Sequence, residues 1–215
     1  MAVALICDVR GSRKIENWGE VYTEIEQVLK KINQAFENDF MTFLEFTVGD
    51  EFQGVLTTPQ NAYEVIKFLK IYMPVRFYCG VGIGEVEIPK SHSGGMRGNA
   101  FYRARDAIKI CKKEKRDVYI ISGIDFIDVP ANGILFLIQT IEEGWSSRQR
   151  EVVTYYRINS GLTYEKIGKH FGVTRQTIMK ILKAAKFKAI REGEEAINRL
   201  LFFVSQYKFT NKNKP

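Results

Sequence analysis

The chain has little cysteine, little histidine and no long apolar run, and each shortage closes off a class of protein. Its three cysteines, Cys7, Cys79 and Cys111, lie far apart and form no CxxC pair. An odd number at such spacing suits buried thiols in a reducing compartment better than disulfides or zinc ligands. The two histidines, His92 and His170, have no partner at metal-ligand spacing, so a zinc site is not expected. No apolar stretch reaches the roughly 18 residues a membrane helix needs. The opening MAVALICDVRG lacks a basic leader and reads as a buried strand, not a signal peptide. The expected setting is the cytoplasm, with no membrane partner.

Charge is present in both signs, unevenly placed. Up to residue 145 there are 17 lysines and arginines against 20 acids, a net of −3; from residue 146 there are 15 against 5, a net of +10. A mildly acidic globular part followed by a strongly basic one is the layout of a module joined to a polyanion binder. Charge alone fits a solvated basic face equally well.

The hydrophobic pattern supplies the elements. Residues 2–9 form a continuous apolar run, expected as a buried strand. Residues 17–36 carry Val21, Ile25, Val28, Leu29, Ile32 and Phe36 at helical spacing. TFLEFTV and EFQGVLTT are strand patterns hinged at Gly49-Asp50. Pro59 opens a second helix with Ala62, Val65, Ile66 and Leu69 inward. A strand at 75–84, a Gly/Ser-rich loop at 91–98, a helix over 99–113, the strand RDVYIIS and a short helix at 132–142 complete the domain. The predicted class is α+β: a ferredoxin-like βαββαβ domain over 1–144, followed by an all-α domain over 145–207. The polar residues 208–215 are expected to be disordered. The glycines of GVGIGE (80–85) fall inside a strand with no helix directly after, so this is no dinucleotide fingerprint.

The basic segment reads as a helix-turn-helix. Glu151–Ile158 is one amphipathic helix, stopped at Asn159-Ser160-Gly161. Thr163 is placed to cap the helix YEKIGKHF, which Gly172 ends with a left-handed turn. Thr174 caps the next helix, RQTIMKILKAAKF. Gly168 allows a close helix crossing, and Ile178 is the core contact. In such a motif the second helix enters the major groove of DNA. Thr174, Arg175, Gln176, Thr177, Lys180 and Lys183 are its candidate DNA contacts, with Arg175 suited to guanine, Gln176 to adenine, and Lys180 and Lys183 to phosphate. A helix pair used for packing or dimerisation is the plain alternative. A final helix near 189–205 ends in LLFFV, to dimerise the protein or to pack back on the first domain.

In the first domain Asp8 ends the opening strand, and Asp50 and Glu51 sit in the hairpin. Neighbouring strands of a ferredoxin-like sheet would bring them to one edge, where paired carboxylates can hold a divalent metal such as Mg or Mn. Singly, they read as a strand-end cap and ordinary turn chemistry. Arg10-Gly11-Ser12-Arg13 beside Asp8 is a candidate phosphate cradle.

GDEF in a hairpin, Asp8 at the end of the first strand and GxGxGE in a later strand resemble the nucleotidyl cyclase palm. Gly98-Asn99-Ala100-Phe101-Tyr102-Arg103-Ala104-Arg105 is similar to the cyclase stretch G-N-x-V-N-x-A-x-R. The whole chain, a cyclase-like palm followed by a helix-turn-helix, resembles the SatD family. The resemblance implies a metal–triphosphate site at Asp8, Asp50 and Glu51, with Asn99 at the phosphates, and a homodimer; Arg103 and Arg105, on the helix after the glycine-rich loop, are candidate phosphate ligands or equally plain surface residues. The chain departs from the cyclases at Tyr102 and Asp106, where they carry Asn and Arg, at Thr47 in place of a base-reading Lys, and at Val48 in place of a second Gly. Three functions follow as expectations: a DNA-binding regulator whose palm binds a metal-nucleotide, a cyclase or nucleotidyltransferase tethered through its helix-turn-helix, or a DNA-binding protein with a structural palm.

Overall fold

The computed structural model describes residues 1–87 and 96–206. His92, most of the expected Gly/Ser loop and the expected tail lie outside them. The opening strand β1 (Ala2–Val9) is buried on both faces. Val3, Leu5, Cys7 and Val9 point into the larger core, and Ala4 and Ile6 into a smaller one on the opposite face. Helix α1 (Trp18–Ala35) follows, burying Ile25, Leu29 and Ile32. Strands β2 (Phe40–Phe46) and β3 (Glu51–Leu56) form the expected hairpin, and Gly49 at φ 66° supplies its left-handed turn.

Helix α2 (Ala62–Tyr72) begins three residues after Pro59, and β4 (Phe77–Gly84) begins after Pro74 rather than at residue 75. Helix α3 (Asn99–Glu114) returns over the sheet to β5 (Val118–Ile121). The sheet order is β2-β3-β1-β4-β5, with β1 antiparallel to both β3 and β4, and β5 parallel to β4. Its first four strands follow the ferredoxin-like order, and β5 extends it.

The glycines of β4 seat α3. A Cβ at Gly82 would stand 1.9 Å from the Ala100 carbonyl oxygen, and one at Gly80 would stand 2.4 Å from that of Ala104. With alanines facing glycines, helix and strand approach to backbone contact.

The short helix expected at 132–142 is in fact α4 (Asp125–Glu143), which holds Pro130 inside it. Pro130 lies in the second turn, where it forfeits one backbone hydrogen bond without ending the helix. One side of α4 buries Ile127, Ala131, Leu135 and Ile138. A second side serves the outer edge of β5. Gln139 accepts from the Asp117 amide at 2.8 Å and donates to the Lys115 carbonyl at 2.9 Å, while Asp128 accepts from the amides of Ser122 and Gly123. Polar side chains of a helix thus occupy an edge that another strand could otherwise join.

Past Gly144 the chain is helical: α5 (Ser147–Ile158), α6 (Tyr164–His170), α7 (Arg175–Ala184) and α8 (Phe187–Gln206). Ser146 and Gln149 close a capping box on α5. The helix expected to run through 187 breaks instead at Lys186, whose φ of 56° turns the chain left-handed into α8. Val152, Val153, Ile167, Ile178, Leu182, Ala185 and Phe187 form a separate small core. Of the two roles open to the last helix, packing back is the one observed. Ile190, Ile197, Leu201 and Val204 of α8 join the main core beside α4. Trp145 packs against both cores, and its indole donates to the Ala185 carbonyl at 2.8 Å.

Candidate functional site

The end of the sheet where β1 stops and β3, β4 and β5 begin collects most of the palm's candidate residues. Asp8 lies directly across from Glu51 in the β1–β3 ladder, and the Val9 amide donates to the Asp50 carbonyl at 3.2 Å. The three carboxylates therefore share one edge, as expected. They do not form a metal group. Lys112 of α3 pairs with Asp8 at 2.5 Å, Arg105 of α3 pairs with Glu51 at 2.5 Å, and the Ser12 hydroxyl donates to Asp50. Among the described residues no three His, Cys, Asp or Glu side chains gather to hold a metal ion. A divalent ion at this edge would have to displace Lys112 and Arg105 from the carboxylates they pair with, so the donor set as arranged does not suit the expected Mg or Mn. Burial pushes the Asp8 carboxyl above its ordinary range, assisted by Asp50 and Glu51 and opposed by Lys112.

The expected phosphate cradle is divided in two. Gly11, at φ 68°, leads into a single turn over Ser12–Lys14, and Arg13 is exposed there. Arg10 turns away: it pairs with Asp117 before β5, and its guanidinium stacks 4.0 Å from the centre of the Tyr78 ring. Asn99 is exposed at the start of α3. Arg103 bends back to the sheet, donating to the Ile83 carbonyl at 2.5 Å beside Gly123. Of the two departures on α3, Tyr102 is exposed and Asp106 pairs with Lys109.

Lys112 is the residue of this edge that sequence reading missed. It stands seven positions after Arg105, two turns along the same face of α3, so helical spacing alone could have found it.

The three buried thiols also meet near this edge. Cys7 faces Cys79 across β1 and β4, and the Cys111 Sγ lies 3.4 Å from the Cys79 carbonyl oxygen. Burial raises the thiols of Cys7 and Cys111 far above their ordinary range, which keeps them protonated.

An ion-pair network joins this end of the sheet to the C-terminal helices. Lys70 of α2 bonds Glu142 of α4 at 2.5 Å, and Arg157 of α5 reaches Glu142 at 3.4 Å and Glu194 of α8 at 2.7 Å. A cleft of roughly 670 Å³ opens beside it, lined by Arg76, Asp117, Trp145, Arg150 and Arg157 among others. Burial opposes the charge on Glu142, but Lys70 and Arg157 outweigh it and hold the carboxyl below its ordinary range. At Glu194 burial wins over Arg157, and the carboxyl lies above that range.

The candidate DNA contacts occupy the outer side of α7. Thr174 accepts from the Thr177 amide at 3.2 Å, as a helix cap does, and the two hydroxyls are 3.0 Å apart. Arg175, Gln176, Lys180 and Lys183 are exposed, and Ile178 and Leu182 are buried beneath them. At Gly168 a Cβ would stand 2.6 Å from the Val173 carbonyl oxygen, so α6 and the turn before α7 touch at backbone distance. Gly172 makes that turn at φ 65°.

These features define an α+β protein, a palm-like mixed sheet of five strands carrying a C-terminal helical cluster. The chain matches the SatD family over residues 2–201, and it belongs to that family. No curated protein matches it. Among solved structures, a bacterial light-regulated adenylyl cyclase is similar at 11% identity and TM-score 0.40, over 55% of this chain and 74% of that one. The catalytic core of a rhodopsin-guanylyl cyclase with converted specificity, in complex with ATPαS, is similar at 12% identity and TM-score 0.32, over 48% of this chain and 69% of that one. Among the described residues no helix is long and apolar enough to cross a membrane.

Proposed function

We propose that this protein is a cytoplasmic DNA-binding regulator. Residues 145–207 act as a helix-turn-helix, and the palm edge receives the phosphates of a nucleotide. The observation that carries the reading is the outer face of α7. Arg175, Gln176, Lys180 and Lys183 stand exposed on a short helix, behind a Thr-capped turn that α6 braces. Exposed Arg and Gln at the start of such a helix match the donor and acceptor code of the major groove, and the exposed lysines supply the charge that phosphate contacts use. The net charge of +10 after residue 145 supports a polyanionic partner.

At the palm edge the reading assigns phosphate to the cations Arg13, Arg105 and Lys112. It routes no step through a metal, because those cations already close the carboxylates. Nothing in the geometry favours turnover over binding.

Two measurements test the proposal. In the first, binding to a randomised duplex library is followed by anisotropy between about 50 and 200 mM salt. The reading expects one enriched sequence and an affinity that falls steeply with salt; equal binding of all sequences would sink it. In the second, melting is followed with each of the four common nucleoside triphosphates, with and without magnesium. One nucleotide should raise the midpoint, and Arg105→Ala should remove the rise. No rise with any of them would leave the palm without a ligand role.

A further inference from the structure

Helix α4 has a third side that serves neither the core nor the β5 edge. Phe126 is 64% exposed, Val129 72%, Phe136 46% and Leu137 64%. At about 100° per residue these four and Gly133 fall within an arc of roughly 100°, so they form one stripe along the helix. A Cβ at Gly133 would meet nothing within 4 Å. Large apolar side chains this exposed, gathered on one helix face, mark a contact surface.

We propose that this stripe joins two copies of the chain, with the α4 helices packed antiparallel and crossing at Gly133. The stripe is self-complementary about that residue. Val129 lies four positions before Gly133 and Leu137 four positions after, so Val129 of one copy sits on Leu137 of the other, twice over. That is the pairing a two-fold axis requires. Gly133, without a side chain, lets the helix axes approach at the crossing.

Charge agrees with the same orientation. Asp125 starts α4, and Lys115 lies level with its far end, where the Lys115 carbonyl accepts from Gln139. Antiparallel pairing brings the exposed Asp125 of each copy toward the exposed Lys115 of the other. Arg116, whose guanidinium lies 4.7 Å from the centre of the Phe136 ring, borders the stripe on this flank. Strand pairing through the β5 edge is closed, because Asp128, Asn132 and Gln139 already occupy it.

The area makes this a weak, reversible interface. The two phenylalanines offer roughly 200 Å² per copy and the aliphatic pair a comparable amount, about 800 Å² over both copies and below the ~1,200 Å² of a standard stable interface. A concentration-dependent dimer is expected, with an affinity that area alone does not fix.

The inference does not depend on DNA binding, and its test uses neither DNA nor nucleotide. Sedimentation of the full chain over a concentration series should show the 24.8 kDa monomer giving way to twice that mass. Leu137→Glu, at an exposed position, should leave circular dichroism unchanged and hold the chain monomeric. Adding Val129→Lys to Leu137→Glu sets opposite charges across the two-fold axis, and the dimer should return. A monomer at every concentration would overturn the proposal, as would a dimer indifferent to Leu137→Glu. Failure of the double variant to recover would overturn the antiparallel register.

Discussion

Asn132 of α4 holds Ile120 of β5 by both of its backbone groups: the side-chain Oδ1 accepts the amide at 2.8 Å, and the Nδ2 donates to the carbonyl at 2.7 Å. Both residues are buried. A single side chain here does the work of a neighbouring strand, and it explains a polar residue on the inner part of a largely apolar helix. It also fixes α4 against the sheet, which orients the outer stripe and the ion-pair network at the helix end.

Asn132→Leu keeps the volume and removes both partners of Ile120. An amide and a carbonyl would be left buried and unpaired, at a cost of roughly 2–4 kcal/mol. Urea denaturation should show that loss as a lower midpoint with an unchanged slope. A loss under about 1 kcal/mol would mean that water reaches the β5 edge and satisfies it.

Gly82→Ala should be among the most damaging small changes in the chain. The added methyl would stand 1.9 Å from the Ala100 carbonyl oxygen, and neither backbone can yield without lifting α3. The expected cost exceeds about 3 kcal/mol, the upper range for overpacking. Gly172→Ala has open space around it and suffers only from its φ of 65°, so about 1 kcal/mol is expected. Equal losses in the two variants would show that space at β4 is not the constraint.

These positions also mark how far the sequence could be read. The buried run of β1, the Gly49 hairpin and the Thr174 cap are local, because each depends on a few adjacent residues, and each lies where the sequence placed it. The early start of α4 was hidden by Pro130, which reads as a breaker until the helix is seen to begin five residues before it. The sharing of one edge by Asp8, Asp50 and Glu51 was legible from strand order. Their closure by Lys112 and Arg105 was not, because it depends on how deeply α3 sinks onto the glycines of β4. The joint from Lys70 through Glu142 and Arg157 to Glu194 brings together residues up to 124 positions apart, beyond any local pattern.

That joint should respond to pH in two opposite ways. The Glu142 carboxyl is held below its ordinary range, so the stability it contributes is complete above the unfolded value and lost as pH falls through the folded one. Glu194 is held above its ordinary range, so its contribution is present below the unfolded value and lost as pH rises through the folded one. Glu142→Gln should therefore cost about 3 kcal/mol at neutral pH, with the difference from wild type shrinking in acid. Glu194→Gln should cost less at neutral pH and compare better with wild type as pH rises from acid. Urea midpoints across the acid-to-neutral range test both; parallel curves for the two variants would reject the opposite settings.

On DNA, the face of α7 predicts a division of labour between its two ends. Arg175 stands at the first position after the Thr174 cap, where a recognition helix meets base edges, and Lys183 stands two turns further on, where it meets phosphate. Arg175→Ala should narrow the gap between the best and the average sequence by about 1–3 kcal/mol and change the salt dependence little. Lys183→Ala should weaken binding on all sequences alike and reduce the logarithmic salt slope by about 1. Both residues are exposed, so neither substitution should disturb the Ile178 core. Competition anisotropy on the selected duplex and a scrambled one, at several salt concentrations, separates the two effects. If Arg175→Ala behaved like Lys183→Ala, the face would be a phosphate-binding surface without sequence readout. Such a result would turn the regulator reading into one of non-specific DNA attachment.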